Sequence, residues 1–269
     1  MDTKTAIHAR QKSWPKLCGT PVDADGYTST LDENLFQPLS AASRSEFGLG
    51  RGNELGSPTK RGKMQATHSS SALACNFFDY WRDKPLATLA AALGAPSGMT
   101  EIQFEQVYRT SINSKPNLDV AFYGEGVKPF LIESKFVEPY GSDKSNILFK
   151  GAYFPEGPGL WEQCGLTRCQ ALAHDIQTRA VRFSRLDAPQ LLKHILGLAK
   201  AHSDGFTLLY LWYDVPSPEA SEHRSEIETF SQAVGDEIDF RAMTYQDLFR
   251  KIGGTTGGEY AAYLADRYF

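Results

Sequence analysis

Residues 116–136 read PNLDVAFYGEGVKPFLIESKF, and the fold turns on how this stretch pairs with itself. Leu118–Tyr123 and Phe130–Val137 are two apolar-rich runs of strand character, and Gly124-Glu125-Gly126 between them supplies a turn. A hairpin centred on Gly126 sets Val120 opposite Ile132 and Phe122 opposite Phe130, which are good apolar cross-strand pairs on one face. The same register sets Asp119 opposite Glu133 on the other face, and Lys135, two residues on, shares that face. A slip of one residue would undo both features together.

Elements of alternating type surround this hairpin. Upstream, Ile102 and Phe104 alternate with polar neighbours in another strand-like segment that carries Glu105. Before it, Leu73, Phe77, Tyr80 and Trp81 recur at helical spacing behind a possible serine cap (Ser69, Ser70 or Ser71); a second piece carries Leu86, Leu89, Ala90 and Leu93 and ends at Gly94. Downstream, one helix is expected from Trp161 to about Phe183. Another opens at Asp187-Ala188-Pro189, with Asp187 as N-cap. Thr207–Tyr213 is an almost unbroken apolar strand, as in a sheet covered on both faces. An acidic helix from Ser221 to Val234, a short strand from Ile238 to Met243 and C-terminal helices complete the pattern. The expectation is an α/β (α+β) fold with a central mixed β-sheet flanked by helices over residues 67–269. Residues 1–66, punctuated by Gly, Ser, Thr, Pro and Asn, read as an N-terminal arm or extended lobe. Within it, Gly48, Gly50, Gly52, Gly56 and Gly62 run into Lys60, Arg61 and Lys63. The phosphate-loop and dinucleotide spacings are missing, so this stretch reads as a flexible loop.

Composition removes several function classes. The 269 residues are 41% hydrophobic and 22% charged, an ordinary globular balance. No apolar run is long enough to span a bilayer, and the N-terminus lacks the apolar core of a secretory signal. Four scattered cysteines form no disulfide framework and no zinc-finger pair, which points to reduced thiols and a cytoplasmic setting. The absence of G-x-S-x-G argues against a nucleophile-elbow hydrolase, and that of H-E-x-x-H against a zincin. A net charge of −4 gives no overall sign of a nucleic-acid binder. The charge is uneven, however: residues 164–202 hold six Arg/Lys against two acids, and residues 217–239 hold seven acids against Arg224 alone.

Two carboxylates side by side repel, and each is harder to ionise unless a cation intervenes. Lys135 supplies one positive charge. A hard divalent ion would supply more, and oxygen ligands with retained waters suit Mg²⁺, with Mn²⁺ as a substitute. Asp119 and Glu133 as metal ligands and Lys135 as the group that acts on water or on developing charge form a layout suited to phosphodiester hydrolysis. The same residues also fit a salt bridge on a strand pair with no chemistry.

The pattern P-N-L-D…I-E-S-K resembles the motif of the PD-(D/E)XK nuclease superfamily. GRGNEL (50–55), HSSSALACNFF (68–78), FE (104–105), LDVAF (118–122), LIESKFVE (131–138) and QLLKHILGLA (190–199) stand in an order similar to a bacterial branch of restriction endonucleases. The proline, Pro116, stands three residues before Asp119 rather than beside it. The resemblance implies a restriction-endonuclease-like core and Mg²⁺-dependent cleavage of DNA. Asp119 and Glu133 would be metal ligands, Lys135 the catalytic lysine and Glu105 a further acid at the metal. It also implies a helix after the catalytic strand that sets Gln190, Lys193 and His194 beside the nucleic acid. Nucleases that cut both strands often pair, which leaves a homodimer open. The alternative is a nucleic-acid-binding protein without catalysis on the same scaffold.

Overall fold

The computed structural model describes the chain except residues 1, 51, 58, 111, 113–114 and 254–257. Helices α1 (Thr3–Leu17) and α2 (Ala41–Leu49) precede a small ribbon, β1 (Gly56–Ser57) with β2 (Lys60–Arg61). Then come α3 (Ser70–Phe78), α4 (Ala87–Leu93) and the strands β3 (Glu101–Val107), β4 (Asn117–Tyr123) and β5 (Phe130–Lys135). Helices α5 (Thr167–Gln177) and α6 (Ala188–Ala201) lead to β6 (Thr207–Trp212); α7 (Pro218–Val234), β7 (Asp239–Thr244), α8 (Tyr245–Gly253) and α9 (Glu259–Tyr268) follow.

The main sheet runs β3-β4-β5-β6-β7, antiparallel across β3, β4 and β5 and parallel across β5, β6 and β7. It is the mixed sheet flanked by helices that the sequence pattern predicts. The β4/β5 hairpin has the expected register: Val120 pairs with Ile132, Ala121 with Leu131 and Phe122 with Phe130. Gly126 sits at φ +67° in the turn, a conformation glycine adopts at little cost.

Alternation along the central strands divides the core in two. Val120, Phe122, Phe130, Ile132, Leu209 and Leu211 face one apolar layer, with Phe77, Leu89 and Leu248 from the helices. Ala121, Leu131, Leu208 and Tyr210 face the other, with Leu191, Ile195 and Phe230; Leu118, three residues from Ala121, also joins this layer, so the alternation of β4 breaks beside Asp119. Each fully buried side chain of this kind contributes roughly 1.5–3 kcal/mol. β6 is buried at every position, as its unbroken apolar run requires.

The reading of residues 1–66 gains detail, and one expected helix differs from the structure. The segment before residue 66 holds α1 and α2, and its Ile7, Leu35, Leu39, Phe47 and Met64 belong to the first apolar layer. The single helix expected over 161–183 is a short turn, Glu162–Cys164, then Gly165 in the left-handed conformation (φ +77°), then α5. Helical caps hold as read: Ser69 accepts from Ala72 N–H and Asp187 from Gln190 N–H.

Candidate functional site

Glu133 and Lys135 lie on the sheet face that α6 covers, an even number of residues from Leu131 on β5, and Asp119 reaches β5 from the neighbouring strand β4. The sheet opens around Asp119. Its neighbour on β3 would be Glu105, but Glu105 has φ +52°, a conformation that is strained for a non-glycine residue, and backbone pairing is interrupted there. On the other side, β4/β5 pairing ends at Val120–Ile132. The Asp119 carboxylate takes the next amide instead, accepting from Ser134 N–H at 2.7 Å.

Glu133 is only 1% exposed. Lys135 Nζ donates to its Oε1 at 2.5 Å and to Gln190 Oε1 at 3.0 Å. His194, also 1% exposed, sets Nε2 3.2 Å from Glu133 Oε2. Gln190 and His194 are one helical turn apart on α6, so both meet β5. The Asp187 cap fixes the first turn from which Gln190 projects. Glu105 accepts from Asn117 Nδ2 at 3.3 Å.

Charge and burial set the protonation of this group. Burial opposes ionisation of Glu133, but Lys135 and then His194 outweigh it and draw its carboxyl down to about 2. Burial, together with the charge of Glu133, drives the Asp119 carboxyl well above the usual range, against the pull of Lys135. Burial raises Glu105 to about 7; the charges of Glu54 and Glu133 add to this, and Asn117 and Lys63 oppose it. Burial works against the charge of Lys135, but Glu133, Asp119 and Glu138 outweigh it and hold the lysine protonated. Lys135 is thereby held as a cation and hydrogen-bond donor.

A family model described as Restriction Endonuclease associating with ARP matches residues 5–269. The chain belongs to this family. Comparison with curated proteins and with solved structures returns no match. The mixed sheet is consistent with the core expected of a restriction-endonuclease family, and Asp119, Glu133, Lys135 and Gln190 of this member meet across β4, β5 and α6. Glu105 reaches the same group electrostatically.

The helical residues have different places. His194 is enclosed against Glu133 rather than presented on a surface. Lys193 is half-buried, with Nζ 5.5 Å from the ring centre of Phe149 and 5.8 Å from that of Tyr153. Arg51 of the GRGNEL stretch lies outside the described residues. Three polar contributors escape a reading by strand register: Glu54, only 7% exposed and acting on Glu105; Glu138, which accepts from Phe136 N–H; and Asn117. Glu54 and Glu138 sit inside quoted stretches, GRGNEL and LIESKFVE, and that is the one sequence signal for them.

The carboxylate oxygens are of the donor type that a hard cation takes. Glu133 Oε2 is buried and makes no aligned hydrogen bond, and Asp119 ionises against two neighbouring carboxylates. Among the described residues, no group of three His, Cys, Asp or Glu side chains is gathered closely enough to form a coordination shell.

Proposed function

We propose that this protein is a divalent-cation-dependent endonuclease that hydrolyses phosphodiester bonds of DNA, with a role in restriction or defence. The observation that carries the reading is the Asp119–Glu133–Lys135 group, with Glu133 buried and its two neighbours part-buried, on adjacent strands of a restriction-endonuclease family member. Asp119 and Glu133, with Glu105 beside them, would hold Mg²⁺, for which Mn²⁺ would substitute. When bound, the ion would neutralise a phosphodiester oxygen and lower the pKa of a coordinated water.

The chain's own residues supply the rest. Lys135, kept protonated by its acidic neighbours, stabilises negative charge that develops at the phosphorus centre. Gln190 accepts from Lys135 Nζ and fixes the direction of the ammonium. The Ser134 amide holds one Asp119 oxygen, Oδ2, in place. Loss of a preorganised donor of this kind reduces turnover by about 10²–10³-fold.

A second reading, nucleic-acid binding without catalysis, is favoured by the ion pair that already engages Glu133 Oε1, with Lys135 Nζ at 2.5 Å. Supercoiled plasmid incubated with Mg²⁺ separates the two. The nuclease reading expects nicked and linear products from the wild type and none from Asp119→Asn or Lys135→Ala. Retarded but intact plasmid supports the second reading.

A further inference from the structure

The glycine-rich basic stretch reads in sequence as a flexible loop, yet Gly56–Ser57 and Lys60–Arg61 within it form a braced ribbon. Its two strands are drawn together where glycine is required. A Cβ on Gly56 (φ +80°) would lie 2.4 Å from the Gly62 nitrogen, and one on Gly62 would lie 2.6 Å from the Glu54 carbonyl oxygen. Backbone hydrogen bonds from Lys63 N–H to Asn53 and from Met64 N–H to Glu54 tie the base of the ribbon to the core, where Met64 is fully buried. Arg61 pairs with Asp23 and lies 4.7 Å over the Tyr27 ring, so it fastens the ribbon to the turn around residues 23–27.

Two lysines are left facing outward. Lys60 is exposed and has no ion pair among the described residues. Lys63 keeps 60% of its side chain in solvent, with Nζ 3.7 Å from Glu54, a loose surface pair. The ribbon stands beside the acidic group. A Cβ on Gly50 would lie 3.2 Å from Glu105 Oε2, and Glu54 and Lys63 both act on the Glu105 charge. A cavity of about 280 Å³ is lined by Glu54, Lys63 and His68 together with Val137 and Glu138, which follow Lys135 in the chain.

We propose that this ribbon, through Lys60 and Lys63, binds backbone phosphates of duplex DNA beside the bond to be cut. The inference rests on the nucleic-acid reading of the preceding section and adds the surface that positions the duplex. Lysine engages phosphate as a point charge, so the contact is independent of base sequence and anchors the duplex without selecting it.

The test is fluorescence anisotropy of a labelled DNA duplex titrated with protein in EDTA over a range of salt, where no cleavage intervenes. Each phosphate contact contributes about 0.9 to the log–log salt slope, which at 0.1 M salt is about eightfold in affinity. The Lys60→Ala, Lys63→Ala double variant is expected to lose about 1.8 from the slope and about 60-fold in affinity at that salt. Lys200→Ala, at the far end of α6, is expected to bind as the wild type does. Wild-type affinity and slope in the double variant would overturn the proposal. So would an equal loss in the Lys200 control, or no duplex binding by the wild type. If the wild type binds with the expected slope yet leaves plasmid intact with Mg²⁺, the nuclease reading fails while the ribbon assignment stands. If it cleaves and the double variant binds normally, the reverse holds.

Discussion

Replacing Lys135 by Met keeps the length of the side chain and removes its charge. Glu133, 1% exposed, then loses the cation 2.5 Å from Oε1 and keeps only His194 at 3.2 Å. In the folded wild type the Glu133 carboxyl is drawn down to about 2 from an ordinary 4.5. A depressed carboxyl stabilises the fold fully above its unfolded value and loses that contribution as the pH falls from 4.5 towards 2. At 1.36 kcal/mol per pKa unit the contribution is about 3 kcal/mol, near the low end of what removal of one partner from a buried pair costs. The elevated pKa of Lys135 is the same attraction seen from the other partner and is not added to it. Lys135→Met should therefore lose about 3 kcal/mol at pH 7, or about 6–12 °C in Tm. Urea unfolding followed by circular dichroism measures the loss, and repeating it in acid measures its pH dependence. The gap between variant and wild type should narrow as the pH falls below 4.5. A loss under about 1 kcal/mol at pH 7, or a gap of constant size into acid, would refute a buried ion pair as the support of this site.

Three further outcomes follow from the same geometry. Asp119→Asn keeps an oxygen for the Ser134 amide and removes a carboxylate whose ionisation is opposed by burial and Glu133, so the melting temperature should hold or rise while cleavage is lost; a large fall in Tm would contradict this. Glu105, raised to about 7, and Asp119, raised above the usual range, must each shed a proton to accept a cation, so Mn²⁺ affinity measured by calorimetry should climb as the pH rises through 7; a flat profile would count against these ligands. Gly124→Ala would set a Cβ 2.1 Å from the Gly98 carbonyl oxygen, backbone that cannot swing aside, and should cost about 1–3 kcal/mol in urea unfolding; an unchanged midpoint would mean that the turn relaxes freely.

The hairpin register was legible because two independent signals agree on it. The Gly-Glu-Gly turn and the apolar pairs Val120–Ile132 and Phe122–Phe130 both fail under a one-residue shift. That Asp119 comes beside β5, near Glu133 and Lys135, follows from that register. The splaying of the sheet at Asp119 does not, because it depends on the left-handed Glu105 and on a side chain replacing a backbone ladder bond. Helix α1 was hidden for a different reason. Its buried face includes Thr3 and Gln11, and Gln11 reaches the Arg267 carbonyl at the other end of the chain. Arg267 itself is fully buried, bonded to Asn34 and Tyr263. Such polar ties carry no hydrophobic period. Glu54 likewise comes to Glu105 through the ribbon's fold and not through strand spacing.

The central claim is that Asp119 and Glu133 together take a divalent cation. Diffraction from crystals soaked in Mn²⁺, recorded at the manganese absorption edge, tests it most directly. The account predicts an anomalous peak between the carboxylates of Asp119 and Glu133, with Lys135 turned towards a coordinated water. A clean map at that position under millimolar Mn²⁺, with Lys135 still closed on Glu133, would contradict it.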